Sequence, residues 1–286
     1  MEIRRSTTVS AFMAVAGTFL ADREAEHNLI YGILSNYEAD PSQYDEPPYL
    51  ASVLHGESVV CVAIRTPPWR LAISEMDHPA AAQVLAADLH GVGLHGAALP
   101  GVVGPAEAAG HFATAWAEQT GAHPRLGRHE RSFRLRRVIP PRTAPGALVR
   151  SRPEHRMLLT EWAKAFHDEA IGSSGPVQDW GAMADRWIRG IGRTCYLWVD
   201  GGRPVSLAGS GGLTPHGIRV GPVYTPPALR GRGYASNLVA GVSQLQLDAG
   251  RTFVFLFTDL ANPTANKIYQ AIGYEPVNDV DEYEFD

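Results

Sequence analysis

The sequence has very little cysteine. Only Cys61 and Cys195 occur among its 286 residues, and each lies inside an apolar, extended run. Two isolated cysteines exclude a disulfide framework and a cysteine-based zinc site. We therefore expect both to be small core residues rather than nucleophiles, and we predict no metal cofactor. A chain of this length can bury a sizeable core without either kind of cross-link.

A long hydrophobic run is also missing. No segment approaches the roughly 20 uninterrupted apolar residues that a membrane helix needs. Residues 1–24 are basic and then moderately apolar, as in a signal peptide, but Thr18 interrupts the apolar stretch and acidic residues follow it without a convincing cleavage site. The apolar residues recur at helical spacing and predict an amphipathic first helix instead. The expectation is a cytoplasmic protein with no membrane partner.

Positive charge is not in excess. The net charge is −5 and the sequence pI is about 6.1, which argues against a general nucleic-acid binder because such proteins neutralise phosphates with a basic surface. One basic cluster, residues 125–137, has the pattern of a strand with a solvated face. A minor anion-binding role for this cluster stays open.

The second half of the chain has a clear order of elements. Helical spacing, turn residues and apolar runs predict, in order, helices over 155–171 and 179–191, a hairpin over 195–213, a strand over 217–225, a helix from about 231 to 249, a strand over 253–259, a helix over 262–273 and one or two closing strands. This order predicts the α/β class, more narrowly an α+β mixed sheet flanked by helices. The Gly221-Pro222 pair predicts a bulge or interruption in its strand.

The first half resembles the second. Predicted helices over 6–20, 24–37, 78–90 and 105–119 alternate with predicted strands over 49–55, 57–64, 69–74, 95–103 and 131–139. Aligning Pro105 with Pro263 brings the two halves into one pattern, so we predict an internal repeat with domains at 1–142 and 143–286. The repeat is structural only. Where the second half has a glycine-rich turn before a helix, the first has residues 74–80, which contain no glycine and two acids.

That glycine-rich turn, Arg230-Gly231-Arg232-Gly233, is the strongest candidate for a binding site. The first amides of a helix have no partner inside the helix, and the aligned peptides place about half a positive charge there. Glycine lets the backbone bend and lets a ligand approach without meeting a Cβ. Either arginine could add a bidentate contact. The turn therefore suits a pyrophosphate.

Two common pyrophosphate motifs do not fit. No Lys follows the glycines, as a P-loop requires, and Ser236 stands where a dinucleotide fingerprint needs a small third residue. The nearest following acid, Asp248, lies within the predicted helix rather than at a strand end. An ATP or NAD binder that uses the same turn nevertheless remains a rival hypothesis.

The residues 230–235 instead resemble the (Gln/Arg)-x-x-Gly-x-(Gly/Ala) motif of the GNAT superfamily of N-acetyltransferases. Asn262, Asn266 and Tyr269, followed by Gly273-Tyr274, are similar to the closing motif of that family. The resemblance covers roughly residues 150–286. It implies a tandem GNAT protein with a degenerate N-terminal copy and an active C-terminal copy.

The resemblance further implies that acetyl-CoA is the cosubstrate and that a primary amine of a small molecule or a peptide is the acceptor. The residues that it assigns to acetyl-CoA binding are Val223, Tyr224, Thr225, Arg230, Gly231, Arg232, Gly233, Tyr234, Ala235, Ser236, Asn262 and Asn266. It implies direct attack of the amine on the thioester, with Tyr269 as the catalytic residue that assists the leaving thiolate. A merely structural role for Tyr269, as a core aromatic, stays open.

Three aspects remain open at this level. The general base has no clear candidate, although His167, Asp168, Glu169, His216, Asp259, Glu282 and Glu284 are titratable residues that could be within reach. Trp162, Phe166, Trp180 and Trp187 either line an acceptor cleft or pack the helices together. The first half either shapes that cleft or stabilises a homodimer. The lack of an evident base also permits a different class of function, a CoA-binding or acyl-CoA-binding module without turnover.

Overall fold

A computed structural model describes residues 1–91, 99–170, 172 and 178–286. The elements up to residue 135 are β1 (Glu2–Ser6), α1 (Val9–Asp22), α2 (Asn28–Ala39), β2 (Tyr49–His55), β3 (Ser58–Arg65), β4 (Leu71–Ile73), α3 (Ala81–Gly91), β5 (Gly101–Pro105), α4 (Ala106–Thr120) and β6 (Pro124–Leu135). They are followed by β7 (Ala147–Arg150), α5 (Arg156–Ala170), α6 (Trp180–Arg189), β8 (Arg193–Asp200), β9 (Arg203–Leu213), β10 (Gly217–Tyr224), α7 (Tyr234–Asp248), β11 (Phe253–Asp259), α8 (Pro263–Ala271) and β12 (Glu275–Phe285).

The chain divides into two compact units. Unit 1 comprises residues 1–132, 259–261 and 277–286, and unit 2 comprises residues 133–258 and 262–276. The last strand of the chain thus belongs mainly to unit 1. This division describes packing and does not test where one copy of a repeat ends, so the boundary between residues 142 and 143 stays a prediction.

Unit 1 is a mixed sheet with helices on it. Its strand order is β1-β2-β3-β4-β5-β12-β6. Strands β4 and β5 are parallel, and the pairs β1–β2, β2–β3, β3–β4 and β5–β12 are antiparallel. The first helix is amphipathic, as predicted, and buries Phe12, Ala16 and Leu20. Its N-cap is Thr8, whose hydroxyl accepts a hydrogen bond from the amide of Ala11 at 3.1 Å, which satisfies one of the otherwise unpaired amides of the first turn.

Unit 2 contains the candidate turn. Its strands lie in the order β11-β10-β9-β8-β7, with β10 and β11 parallel and the other pairs antiparallel. Side chains alternate between the two faces of this sheet. On the face here called the α7 face, Ala208, Val220 and Leu256 pack with Leu238 and other residues of α7.

The opposite face of the unit 2 sheet, here called the α5–α6 face, packs against the helices α5 and α6. Leu197 and Leu207 from the sheet form one buried cluster with Leu159, Trp162 and Trp187 from these helices. Each face is therefore covered by helices. Strand β9 is buried over most of its length, whereas β10 is buried at Gly217, Ile218 and Val220 and only partly buried from Gly221 to Tyr224.

The structure confirms the predicted mixed α/β class and most of the elements. It adds β1 and β7, which the sequence pattern did not reveal, and it starts α7 at Tyr234 rather than near residue 231. Part of the predicted strand 95–103, and residue 171 of the predicted helix 155–171, lie outside the described residues. None of the described helices is long and apolar enough to cross a membrane.

Candidate functional site

Strands β10 and β11 separate partway along their length. They pair over only three residues each, with Gly217, Ile218 and Arg219 of β10 opposite Phe253, Val254 and Phe255 of β11. Both strands continue beyond this point, to Tyr224 and Asp259. Residues 220–224 therefore present a strand edge that β11 does not occupy. An extended ligand could pair with this edge as an added strand does.

The separation coincides with an irregularity in β10. The pairing of β10 with β9 shifts register between Val220 and Val223, at the Gly221-Pro222 pair. Proline has no amide hydrogen to donate, so it is tolerated in a strand only at an edge or a bulge. The predicted interruption is thus confirmed, and it lies beside the point where β10 leaves β11.

The chain then turns at the surface before it enters α7. A short 3₁₀ turn at Pro227–Leu229 leads into Arg230, and the backbone angles φ of Gly231 and Gly233 are +76° and +80°. Side chains with a Cβ rarely adopt this left-handed conformation, which explains why glycine stands at both positions. A Cβ on Gly231 would meet no atom within 4 Å. The turn is therefore open on the side where a ligand would approach.

The amides of this turn are available for binding. No hydrogen bond of the described residues uses the backbone amides of residues 231–236, whereas the amide of Asn237 donates to the carbonyl of Gly233 at 3.1 Å. The N-cap residue, Gly233, has no side chain that could cap the helix. These amides and the positive end of the α7 dipole are thus free to receive an anion, and the predicted anion binding at this turn stays a prediction.

Arg230 does not point freely at these amides. Its guanidinium donates to the carboxylate of Glu169 at 2.6 Å and to the backbone carbonyl of Thr225 at 2.8 Å. The hydrogen bond to Glu169 raises the pKa of Arg230 above its usual value. Arg230 therefore fixes the turn against the end of β10 and against α5. For the predicted direct contact with a phosphate, the guanidinium of Arg230 would have to break its ion pair with Glu169.

Tyr234 also has a structural role in addition to its predicted one. Its ring is buried against Ala144 and Val205, and its hydroxyl donates to Asp200 at 2.6 Å, which raises the pKa of Tyr234. Only its backbone amide remains for the ligand. Arg232 is exposed, and one of its donors reaches the carbonyl of Ala228 at 3.3 Å. Arg232 is thus the arginine better placed to reach a bound anion from solvent.

The helix α8 begins as the sequence predicts. The side chain of Asn262 caps it by accepting from the amide of Ala265 at 3.0 Å, with Pro263 in the first turn. The amide group of Asn266 donates to the carbonyl of Asn262 at 2.8 Å. Both asparagines therefore stabilise the start of α8, and their role in binding acetyl-CoA stays a prediction.

Tyr269 lies on α8 among apolar groups and is 9% exposed. Its ring contacts that of Tyr274 with 6.1 Å between centroids. Burial raises the pKa of Tyr269 to about 12, and no hydrogen bond of its hydroxyl occurs among the described residues. Tyr274 differs, since its hydroxyl is bonded to that of Ser243 at 2.9 Å. Tyr269 is therefore neutral at physiological pH and has a hydroxyl left to donate.

The candidate bases are mostly engaged by other groups. In α5, Asp168 pairs with Lys164 at 2.5 Å and Glu169 pairs with Arg230, while the ring of His167 lies 4.9 Å from that of Trp180. Asp259 accepts from the amide of Ala261 at 2.7 Å, a turn-capping role that the sequence also suggests.

Two further candidates belong to unit 1. Glu282 is buried and pairs with Arg70 and Arg128, and Glu284 pairs with Arg70 and Arg125. Both carboxylates are thus engaged by arginines of unit 1. His216 accepts backbone hydrogen bonds at the turn before β11 through its carbonyl.

Two of the four aromatic residues noted on α5 and α6 pack in the core, and an acceptor cleft lined by Phe166 and Trp180 stays a prediction. Trp162 and Trp187 are each 7% exposed and lie in the core on the α5–α6 face. The ring of Trp162 lies 6.0 Å from that of Tyr224, at the end of β10. Among the described residues, no group of three or more His, Cys, Asp or Glu side chains is placed to hold a metal ion.

Comparison with known protein families gives one match. Residues 202–284, less than a third of the chain, match the family model described as FR47-like protein. This segment contains the turn, α7, β11 and α8. No curated protein sequence matches the chain significantly.

Solved structures match over the whole chain. A Drosophila protein is similar with a TM-score of 0.68 at 12% identity, over 99% of this chain and 98% of that one. A GNAT-family acetyltransferase from Colwellia psychrerythraea is similar with a TM-score of 0.60 at 11% identity, over 100% of both chains. A tandem GNAT protein from the clavulanic acid biosynthesis pathway is similar with a TM-score of 0.56 at 14% identity, over 99% and 97%. At these identities the similarity shows the fold alone, and it is the GNAT fold that the sequence motif implies.

Proposed function

We propose that this protein is an acetyl-CoA-dependent N-acetyltransferase whose acceptor is a primary amine, on a small molecule or a peptide. The GNAT fold supports acyl transfer in general. The finer assignment depends on one observation, which is that the unused amides of residues 231–236 follow directly on the strand edge of residues 220–224. A ligand with a diphosphate and an extended amide-containing arm matches both parts, and acetyl-CoA is such a ligand.

The binding residues have distinct tasks in this proposal. The amides of residues 231–236 hold the diphosphate, and each charge-assisted hydrogen bond contributes about 1.5–3 kcal/mol. The free edge of β10 pairs with the arm. Because the edge begins where β10 leaves β11, the thioester lies near Gly221 and the row of Arg219. Acetyl-CoA supplies an activated acyl group at that position.

The reaction itself is a direct transfer. The neutral amine attacks the thioester carbonyl carbon, the new C–N bond forms, the C–S bond breaks and the electron pair leaves on sulfur. The amine loses one proton to water or to a base, and the thiolate gains one. A backbone amide of the free β10 edge beside the thioester stabilises the negative charge that develops on the carbonyl oxygen.

Tyr269 assists the leaving thiolate mainly by donating a hydrogen bond. A thiol has a pKa near 8.5, and burial raises the pKa of Tyr269 to about 12. Complete proton transfer from this tyrosine to the thiolate is therefore uphill by about 5 kcal/mol, at 1.36 kcal/mol per unit of pKa. A donated hydrogen bond stabilises the thiolate without this cost.

A second function fits the engaged carboxylates. The protein could bind CoA or acyl-CoA without turnover, since Glu169 and Asp168 are ion-paired and no unpaired base stands out among the described residues. Both functions require the same diphosphate site. They differ only in whether thiol is released when an amine is added.

Thermal shift and isothermal titration with acetyl-CoA, ATP and NAD test the shared binding step. A ligand at 100 times its dissociation constant stabilises a protein by about 2.7 kcal/mol, which is readily measured. We expect a shift with acetyl-CoA that Gly233→Glu abolishes, because a carboxylate then lies beside the amides. Gly202→Glu is the matched control, since Gly202 has a φ of +76° in an exposed turn.

A shift with ATP or NAD and none with acetyl-CoA would refute the proposal. Where acetyl-CoA binds, thiol release across an amine library decides between enzyme and binding module. Release with at least one amine supports the transferase, and binding without release under any amine supports the module.

A further inference from the structure

Three residues form a row across the unit 2 sheet at the last point where β10 still pairs with β11. Arg193 of β8 lies opposite Gly211 of β9, and Gly211 lies opposite Arg219 of β10. Residues directly opposite each other in adjacent strands point to the same face of a sheet. Two arginines thus stand on one face with a glycine between them, about two strand spacings or roughly 10 Å apart.

The face in question is the one that α5 and α6 cover. Arg193 is two residues before Cys195, which packs in the cluster on the α5–α6 face, and residues two apart in a strand share a face. The side chain of Arg219 is on this face too, with its guanidinium carbon 5.5 Å from the ring centre of Phe257.

The side chain of Arg193 lies across a bare part of β9. A Cβ built on Gly209 would come within 2.8 Å of Cδ of Arg193 and within 2.8 Å of the carbonyl oxygen of Gly221. The missing side chain at Gly209 therefore leaves the space through which Arg193 passes. Because Arg193 Cδ and the Gly221 carbonyl border the same small space, the arginine extends toward the start of the free β10 edge.

Arg193 has no partner for its charge. It makes no hydrogen bond and no ion pair among the described residues, and the residues outside the described ranges, 92–98, 171 and 173–177, contain neither Asp nor Glu. Its side chain is partly buried, and burial lowers the pKa of its guanidinium. A sheltered charge without a partner destabilises the free protein.

Two other arginines of the same unit, Arg156 and Arg230, do have acidic partners. Arg156 makes a bidentate pair with Asp185 at 2.7 and 2.9 Å, and Arg230 pairs with Glu169. Both of these pairs are largely exposed, where pairing contributes little. These two half-exposed arginines have acidic partners, whereas the more sheltered Arg193 has none among the described residues, which is the reverse of what folding stability alone favours.

We propose that Arg193 binds the carboxylate of the acceptor, so that the acceptor is an amine that carries a carboxylate, such as an amino acid. The planar guanidinium matches a carboxylate with two parallel hydrogen bonds. The row of Arg193 is level with the place where the thioester lies in the proposed function. An anchored carboxylate therefore holds the amine of the same molecule near the reacting carbon.

This inference rests on the proposed function but is tested separately from it. The probes are matched pairs that differ in one group, each amino acid against its own amide, for example glycine with glycinamide and phenylalanine with phenylalaninamide. Binding of each probe to the CoA-loaded protein is measured by titration calorimetry, and thiol release from acetyl-CoA is measured in parallel. Acetyl-CoA binding without an acceptor is recorded for every variant.

We expect the acids of at least one pair to bind about 10- to 100-fold more tightly than their amides, and to give the higher kcat/KM. Arg193→Gln removes the preference while acetyl-CoA binding stays within about twofold. Arg193→Lys keeps part of the preference for the acid, since the positive charge remains but the planar guanidinium that makes two parallel hydrogen bonds is lost. Arg203→Gln is the control, because Arg203 is an exposed arginine at the far end of the same hairpin.

Equal binding of acids and amides, or a preference that Arg193→Gln leaves unchanged, would overturn the inference and leave the transferase proposal intact. Loss of acetyl-CoA binding by the unmodified protein would instead remove the proposed function, and with it this inference. A folding defect is recognised by the melting temperature. If Arg193→Gln unfolds, the test uses Arg193→Lys, which keeps the charge and most of the packing. The ratio of kcat/KM for the acid to kcat/KM for its amide is then compared between Arg193→Lys and the unmodified protein.

Discussion

Replacing Gly231 by alanine separates the conformational role of this residue from its role in binding. Gly231 has a φ of +76° and a Cβ at this position would meet no atom within 4 Å. Gly202, in the turn between β8 and β9, also has a φ of +76° and also has nothing within 4 Å of a built Cβ. The two substitutions therefore impose the same backbone strain and the same absence of clashes, at two different places in unit 2.

The stability change follows from the strain alone. An L-residue in the left-handed region costs about 1–2 kcal/mol, and a lower unfolded-state entropy offsets about 0.4–1 kcal/mol of this. We expect both variants to lose about 1 kcal/mol of the free energy of unfolding, and to agree with each other within about 0.5 kcal/mol.

Binding should distinguish the two variants. In the proposed complex the diphosphate lies against the amides of residues 231–236, so a methyl group on Gly231 prevents close approach. Loss of one charge-assisted hydrogen bond, about 1.5–3 kcal/mol, weakens acetyl-CoA binding about 10- to 100-fold. Gly202→Ala should leave the affinity unchanged.

Urea denaturation and titration calorimetry on the same protein samples provide the two measurements. Equal acetyl-CoA affinity of both variants would refute a diphosphate at this turn. An unfolding penalty for Gly231→Ala that is much larger than for Gly202→Ala would show that the turn is packed in a way that the open geometry excludes.

Three other predictions follow from the site. Tyr269→Phe should lower kcat about 10- to 100-fold and leave the acetyl-CoA affinity within twofold. The folded pKa of Tyr269 is about 12, above the unfolded value near 10, so the contribution of Tyr269 to stability is present below pH 10 and is lost as the pH rises toward 12. Urea denaturation should therefore show a smaller loss of stability between pH 9 and pH 11 in Tyr269→Phe than in the unmodified protein. Asn262→Ala removes the cap of α8 and should cost about 1 kcal/mol by the same denaturation assay, whereas Asn262→Ser should cost less than half of that. Glu169→Gln frees Arg230; it should change the free energy of unfolding by less than about 1 kcal/mol because the pair is half exposed, and it should tighten acetyl-CoA binding several-fold, an outcome that equal or weaker binding by calorimetry would contradict.

The sequence was sufficient to locate the glycine-rich turn before α7 because its signal is local. Glycines with positive φ, a helix that starts without a capping side chain, and the Gly221-Pro222 interruption all follow from neighbouring residues along the chain. The start of α8 was predictable for the same reason, since Asn262 and Pro263 determine it by themselves. The capping role of Asp259 is a further example of such a local effect.

Contacts between distant segments were not predictable. The pairing of Arg230 with Glu169 joins residues 61 positions apart. Strand β7 has only four residues, too few to show a clear strand pattern in the sequence. The last strand was expected to close the second domain, but most of it belongs to unit 1, where it pairs with β5. Register between strands depends on tertiary packing, which a single sequence does not reveal.

Arg193 shows how a weak sequence signal becomes strong in three dimensions. Along the chain it is one arginine at the start of an apolar strand, and nothing distinguishes it from the exposed arginines nearby. The glycines at 209 and 211 were visible as a small-residue stretch in β9, and glycine inside a strand often marks a place where another group approaches closely. The structure identifies that group as the side chain of Arg193. A sheltered cation that displaces side chains from the neighbouring strand, yet pairs with no acid, is costly for folding and is best explained by a ligand that supplies the missing negative charge.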